Sequence, residues 1–231
     1  MFGTIVNTIA IIIGATLGLI LKKGLKPKMA DTLMKGLGLC TLFLGISGSL
    51  KGENSLILII SLVIGIIIGE TLDLEEKLNR LGNRLEKRFA SQNSKTSLAE
   101  GFVTASLLFC VGALAIVGSL QSGLIGNHEI LFNKSMLDFV AAVIFASTLG
   151  IGVMFAAGLV LLYQGIITLF SQGIAPYLTE IVIAEMTCVG SVIIIGLALN
   201  MIGITKFRVM NYVPAIFIPI ILYPLFNLLN L

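Results

Sequence analysis

Gly24-Leu25-Lys26-Pro27-Lys28-Met29-Ala30-Asp31 is echoed by Gly173-Ile174-Ala175-Pro176-Tyr177-Leu178-Thr179-Glu180, 149 residues later counted from Pro27 to Pro176. Gly, Pro and the acidic residue keep their places, and Leu/Ile and Met/Leu are like for like. Each copy closes one apolar run and opens the next, as a Pro at a helix start should. Aligned on the two prolines, span one matches about 152–172 and span two 180–199. The Lys51 turn then falls near the Lys206 turn. The chain therefore reads as two related halves.

Those halves belong in a membrane. Of 231 residues 57% are hydrophobic and only 12% charged, with a mean hydropathy of +1.05. A soluble domain carries about 25% charged residues. Apolar runs of about 20 residues suit the ~30 Å hydrocarbon layer. There is no Trp, so Tyr and Phe must supply any interfacial belt. The net charge of +3 is an orientation signal, and the basic residues lack the aromatic platforms of a nucleic-acid site.

Taken in order, the spans are Phe2 to Leu21, Asp31 to Leu50, Ser55 to about Leu72, about Leu98 to Leu120, Thr179 to Gly203 and Val209 to Leu229. Small-xxx-small pairs at Gly14/Gly18 and Gly65/Gly69 favour close helix packing, and contacts within a homo-oligomer are expected from them too. No basic n-region or small-residue cleavage site precedes Lys22, so the first run is expected to be retained. Pro214, Pro219 and Pro224 should kink or partly unwind the last span. Residues 73–91 differ in kind. Leu74, Leu78, Leu81, Leu85 and Phe89 form a narrow stripe among mixed charges, the pattern of an amphipathic helix at the cytoplasmic interface. A polar linker, 91–97, follows.

Met136 to Phe170 is long for one crossing and short for two, with Gly150 and Gly152 dividing it. Loop charge favours two. Cytoplasmic loops collect Lys and Arg. Eight segments, with both termini outside, put 13 of the 15 basic residues inside, leaving Lys51 and Lys134 outside. A single crossing gives 11 against 4. In the eight-segment arrangement five crossings separate the two repeat starts, so the copies are inverted. The expected fold is an all-α polytopic bundle of seven or eight segments. Residues 1–72 are the first three-span repeat, 73–97 the amphipathic helix and linker, 98–151 the connecting spans and 152–231 the second repeat. Inverted repeats recur in secondary transporters, with the site near the midplane.

Several stretches resemble a known family. They are Gly3-Thr4-Ile5-Val6-Asn7, the run Ala99-Glu100-Gly101-Phe102-Val103-Thr104-Ala105-Ser106-Leu107-Leu108-Phe109-Cys110-Val111-Gly112, and Gly118-Ser119-Leu120-Gln121-Ser122-Gly123-Leu124. Lys134-Ser135-Met136-Leu137-Asp138, Leu162-Tyr163-Gln164-Gly165, Ala184-Glu185-Met186-Thr187-Cys188-Val189-Gly190 and the stretch from Asn200 to Asn211 with Pro214-Ala215 complete the set. Together they resemble the bacterial multispan membrane proteins of domain of unknown function 554. The resemblance implies a multi-pass protein of the bacterial inner membrane. It brings no reaction and no functional residues to carry over.

Polar side chains at membrane depth are the candidates for function, since an uncompensated charge there costs roughly 2.5–3.5 kcal/mol on insertion scales. Glu185 leads, a turn and a half into its span beside Thr187. Asp138 follows, with Lys134 four residues before it as a local ion-pair partner. Glu180 and Asp31 read as helix-start charges complementing the dipole, as does Glu100, and Glu70 reads as interfacial. Gln121, Ser119, Thr104, Ser106, Gln164, Asn7 and Asn200 would line a polar path, although each alone also serves as glue between helices. Such a cavity suits a cation or small polar solute.

Cys40, Cys110 and Cys188 lie singly in apolar segments, and His128 is the one His, so no metal cluster is spelled out. No phosphate loop, catalytic constellation or cofactor motif is present, and no enzyme or cofactor is expected. Two readings stay open. One is a secondary transporter or channel for an ion or small polar solute. The other is a non-transporting scaffold or regulatory protein that docks through the 73–91 helix. Partners are expected to be the lipid bilayer and the solute, not nucleic acid.

Overall fold

The computed structural model describes residues 1–22, 27–77, 80, 98–110 and 113–229, and among them the chain is helical with no strand. The first half holds α1 (Phe2–Lys22), α2 (Pro27–Ser49) and α3 (Ser55–Leu72). A central section holds α4 (Leu98–Cys110), α5 (Ala113–Leu124) and α6 (Glu129–Leu149). The second half holds α7 (Gly152–Leu169), the single turn α8 (Ser171–Ile174), α9 (Glu180–Ile202), a 3₁₀ segment (Val209–Phe217) and α10 (Pro219–Leu229).

By length and composition six helices could cross a membrane: α1, most of α2, α3, α6, α7 and α9. Two bent pairs bring the number to eight if each is one span. In one, α4 meets α5 at 60°; in the other, the 3₁₀ segment meets α10 at 41°. The second bend follows from Pro214 and Pro219, which cannot donate to an α-helical ladder. The first replaces the continuous fourth span expected over 98–120, and its second arm runs on to Leu124.

The ambiguous stretch is two helices. Gly150 has φ 86°, a left-handed backbone that ends α6. Helix α6 starts at Glu129, before the expected Met136. The reason is an apolar anchor: Leu131 is fully buried, against Gly3 of α1 and Gly118 of α5. Of the 73–91 helix, only 73–77 and 80 are described, with Glu76 bonded to Arg80 at 3.0 Å. The rest of it and the 91–97 linker lie outside the described residues.

Helix α9 is the core. Of its span 72% is buried, against 24% for α2 and 22% for α3. The first three helices turn Ile5, Ile9, Ile13, Leu39, Phe43, Ile59 and Ile67 outward, as lipid-facing sides should. Contacts fix which ends lie together. Thr4 of α1 meets Thr168 of α7, and the 53–54 turn meets Glu185 near the start of α9. The N-terminus, that turn, the start of α6 and the end of α7 thus share a first end. At the second end Arg208 pairs with Glu70 and Asp73, and Leu98 meets Gly152. Because α1 and α7 run antiparallel, the corner at Pro27 and the corner at Pro176 lie at opposite ends.

Candidate functional site

Helix α6 carries one charged pair on a face that packing forces inward. Leu131 and Ala142 are fully buried on that face, and Lys134 and Asp138 lie between them at helical spacing. Both are about 95% buried, with 5% and 6% of their surfaces exposed. They form an ion pair one turn apart. Asp138 Oδ2 also accepts a bond from Asn7 Nδ2 at 3.0 Å, and Asn7 Nδ2 reaches Gln164 Oε1 at 3.4 Å. Asn7 and Gln164 are fully buried. A turn away, the Thr4 and Thr168 hydroxyls meet at 3.4 Å. Three helices, α1, α6 and α7, are therefore joined by a polar ladder. Asn7 Oδ1 and Gln164 Nε2 have no protein partner among the described residues.

The charged pair borders a cavity of about 470 Å³ between the ends of α2 and α4, the start of α5 and the middles of α6 and α9. Ser47, Lys51, Phe109, Thr187 and Ser191 line it with Lys134 and Asp138. The Lys134 ammonium stands 6.0 Å from the Phe109 ring, in cation–π range. Lys51 sits exposed at the first end.

A second cavity, about 340 Å³, opens at the other end. Glu75, Glu100, Thr104, Asn200, Lys206 and Arg208 are among its lining residues. Arg208 bonds Glu70 at 2.9 Å and also Asp73; the Asp73 carboxylate holds its guanidinium above the ordinary value, and Glu70 adds to this. Glu75 closes the corner by accepting from Met210 N–H at 3.1 Å and donating its own N–H to Asn211 Oδ1 at 2.8 Å. The two cavities share α4 and α9. On α9 the first ends at Ile194 and the second begins at Leu197, about 4.5 Å along the axis. On α4 the gap runs from Leu108 to Thr104, about 6 Å. At the edge of that gap, on the wall of the second cavity, Thr104 Oγ1 has no protein partner among the described residues.

The remaining sequence candidates separate by their partners. Glu185 is fully buried, yet it does not line the first cavity. Its Oε1 accepts the backbone N–H groups of Glu53 and Asn54 at 2.8 and 2.9 Å, so it holds the α2–α3 turn. Beside it Cys188 Sγ donates to Ser49 O at 3.0 Å. Asn200 ties the loop after α9: Nδ2 donates to Phe207 O, and Oδ1 accepts from Thr205 Oγ1 and Phe207 N–H, all at 2.8 Å. Thr187 and Ser119 bond their own helices, at Ile183 O and Ala115 O. Ser106 is buried with its hydroxyl unpartnered among the described residues, and Gln121 is half-buried.

Asp138, Asn7 and Gln164 are brought together, whereas Glu185, Asn200 and Gln121 stand apart from them. Phe109, Ser47 and Ser191 are site residues that sequence reasoning did not select, and it read Lys134 only as the local partner of Asp138. The signal was present for Lys134. A Lys and an Asp four apart, on the same face as Leu131 and Ala142, cannot both reach water. Among the described residues no group of three or more His, Cys, Asp or Glu could hold a metal ion.

No solved structure matches the chain. It is 38% identical over 223 residues to "Uncharacterized membrane protein YdfK" of Bacillus subtilis (strain 168), a match that covers 95% of this chain and 94% of that protein. It is 29% identical over 219 residues to "Uncharacterized protein YqgA" of Escherichia coli (strain K12), covering 94% and 93%. The family model described as "Protein of unknown function (DUF554)" matches residues 2–224. With the family model running over nearly its whole length, the chain is a membrane protein of the DUF554 family.

Proposed function

We propose that this protein is a secondary transporter or channel that passes an ion or small polar solute along the seam between α4 and α9. The observation that carries the reading is the pair of cavities. They enter that seam from opposite ends and stop about one helical turn apart. A buried charged pair borders the first, and a charged mouth forms the second.

We read the two halves as an inverted repeat, which favours this function. Each element of the first half packs antiparallel on its counterpart: α1 on α7, α2 on α9, α3 on the 3₁₀ segment. Helices α2 and α9 are both 23 residues long. Gly65 lies against Ala215, one position from Pro214, which the 149-residue register assigns to it. Two discontinuous helix pairs also suit a transporter, where broken helices surround the site. The basic loops put the first end outside and the second in the cytoplasm.

Purified protein in liposomes tests this by light scattering during osmotic swelling in salts and small neutral solutes. The expected result is protein-dependent permeation of at least one solute, cut tenfold or more by Asp138→Asn. Permeation no faster than in empty liposomes, across the panel, would count against it.

A further inference from the structure

The first cavity is asymmetric in charge and in polarity. Its lining presents two ammonium groups, Lys51 and Lys134, and one carboxylate, Asp138. The rest is mostly apolar, led by Leu44, Leu108, Phe109, Leu114, Phe145 and Ile194. At about 470 Å³ it falls within the roughly 300–1,000 Å³ of small-molecule sites. A cation entering it would face two like charges, and the carboxylate that would receive it is already held by Lys134 and Asn7. An anion would find Lys51 at the mouth and Lys134 inside.

Taking this cavity as the substrate site of the path proposed above, we propose that it binds a small organic anion, a carboxylate on a compact apolar body, with Lys134 as counter-ion and Asp138 taking up a proton as the anion enters. The proton follows from burial. An anion added to an intact Lys–Asp pair leaves a net negative charge in a low-dielectric site, which desolvation opposes. Neutralising Asp138 removes it. One proton from the aqueous side adds to the Asp138 carboxylate, the Lys134–Asp138 ion pair breaks, and a Lys134–ligand carboxylate pair replaces it. No covalent bond forms besides O–H. Asn7 stays beside the neutral acid.

The groups that face Asp138 are few. Lys134 lies on its own helix, Lys51 on the α2–α3 turn and the Cys110 thiol at the end of α4. Asn7 of α1, Gln164 of α7 and Thr187 and Ser191 of α9 are uncharged. Binding coupled to one proton tightens as pH falls, by up to tenfold per pH unit.

The test is thermal unfolding of the full chain in detergent with sodium pentanoate, pentylammonium chloride or pentan-1-ol, each against sodium chloride at the same pH. Pentanoate should raise the midpoint saturably, with apparent affinity rising about tenfold or more from about pH 7.5 to about pH 5.5. The amine and the alcohol should not. Lys134→Arg should keep the shift and Lys134→Gln lose it, while Asp138→Asn should bind pentanoate without the pH dependence. If Lys134→Gln does not fold, the three wild-type probes and Asp138→Asn decide. Equal stabilisation by pentylammonium, or undiminished pentanoate binding in Lys134→Gln, would overturn the inference. Pentanoate binding in a protein that passes no solute would overturn transport alone. Solute flux without pentanoate binding would overturn this inference alone.

Discussion

Glu185 and Asp138 are both carboxylates buried in apolar helices, and their partners give them different work. Two backbone N–H groups converge on one oxygen of Glu185. They belong to the turn whose Asn54 side chain then caps α3 by accepting from Leu56 and Ile57 N–H. Glu185 therefore fixes where α3 begins. Asp138 instead binds two side-chain groups, an ammonium and an amide, which can exchange for others. An amide oxygen can accept what a carboxylate oxygen accepts, so Glu185→Gln should keep the turn. Glu185→Ala should strand both N–H donors and cost about 1.5–3 kcal/mol. Unfolding midpoints of the two variants in detergent check this, and equal losses would argue that charge, not bonding, is what Glu185 supplies.

At the scale of elements, close approach decides which glycines matter. Gly69 of α3 faces the backbone of Asn211, and Gly65 faces Ala215, so the 3₁₀ segment lies directly on α3 with no side chain between. A methyl group at Gly69 would meet the Asn211 carbonyl and force the elements apart. Gly69→Ala should destabilise by about 1–3 kcal/mol, the usual cost of overpacking. Gly36 of α2 has nothing within 4 Å of its would-be Cβ, and Gly36→Ala should stabilise by up to about 1 kcal/mol through helix propensity. Thermal unfolding of the pair, read side by side, distinguishes packing from propensity. Helices were legible because lipid demands long apolar runs. The bend after Cys110 was not, since Leu107 to Val117 is continuously apolar and Leu98 to Leu124 carries no Pro. The early start of α6 was hidden by Asn127, His128, Glu129 and Asn133, polar residues that read as loop. It took the burial of Leu131 to turn that stretch into helix. The site was legible in part for the same reason. Asp138, Asn7 and Gln164 stand out as polar residues in apolar runs, but their meeting across α1, α6 and α7 spans up to 157 positions, beyond any spacing rule.

Across the whole molecule the two halves hold each other at both ends. At the first end a carboxylate of the second half, Glu185, grips the α2–α3 turn of the first. At the second end Glu70 of the first half, with Asp73 and Glu75 just beyond α3, grips Arg208 and Met210 of the second. Between these ties the seam of α4 and α9 holds the two cavities. If that seam is a solute path, its two mouths must meet water on opposite sides of the membrane. Ser191 lines the first cavity and Thr104 the second. The direct measurement is side-specific thiol labelling of Ser191→Cys and Thr104→Cys in a chain without Cys40, Cys110 and Cys188. Small membrane-impermeant thiol reagents would be applied to spheroplasts and to inverted vesicles. The account predicts that Ser191→Cys reacts from the outside and Thr104→Cys from the cytoplasmic side. Labelling of both from one side, or of neither, would contradict it.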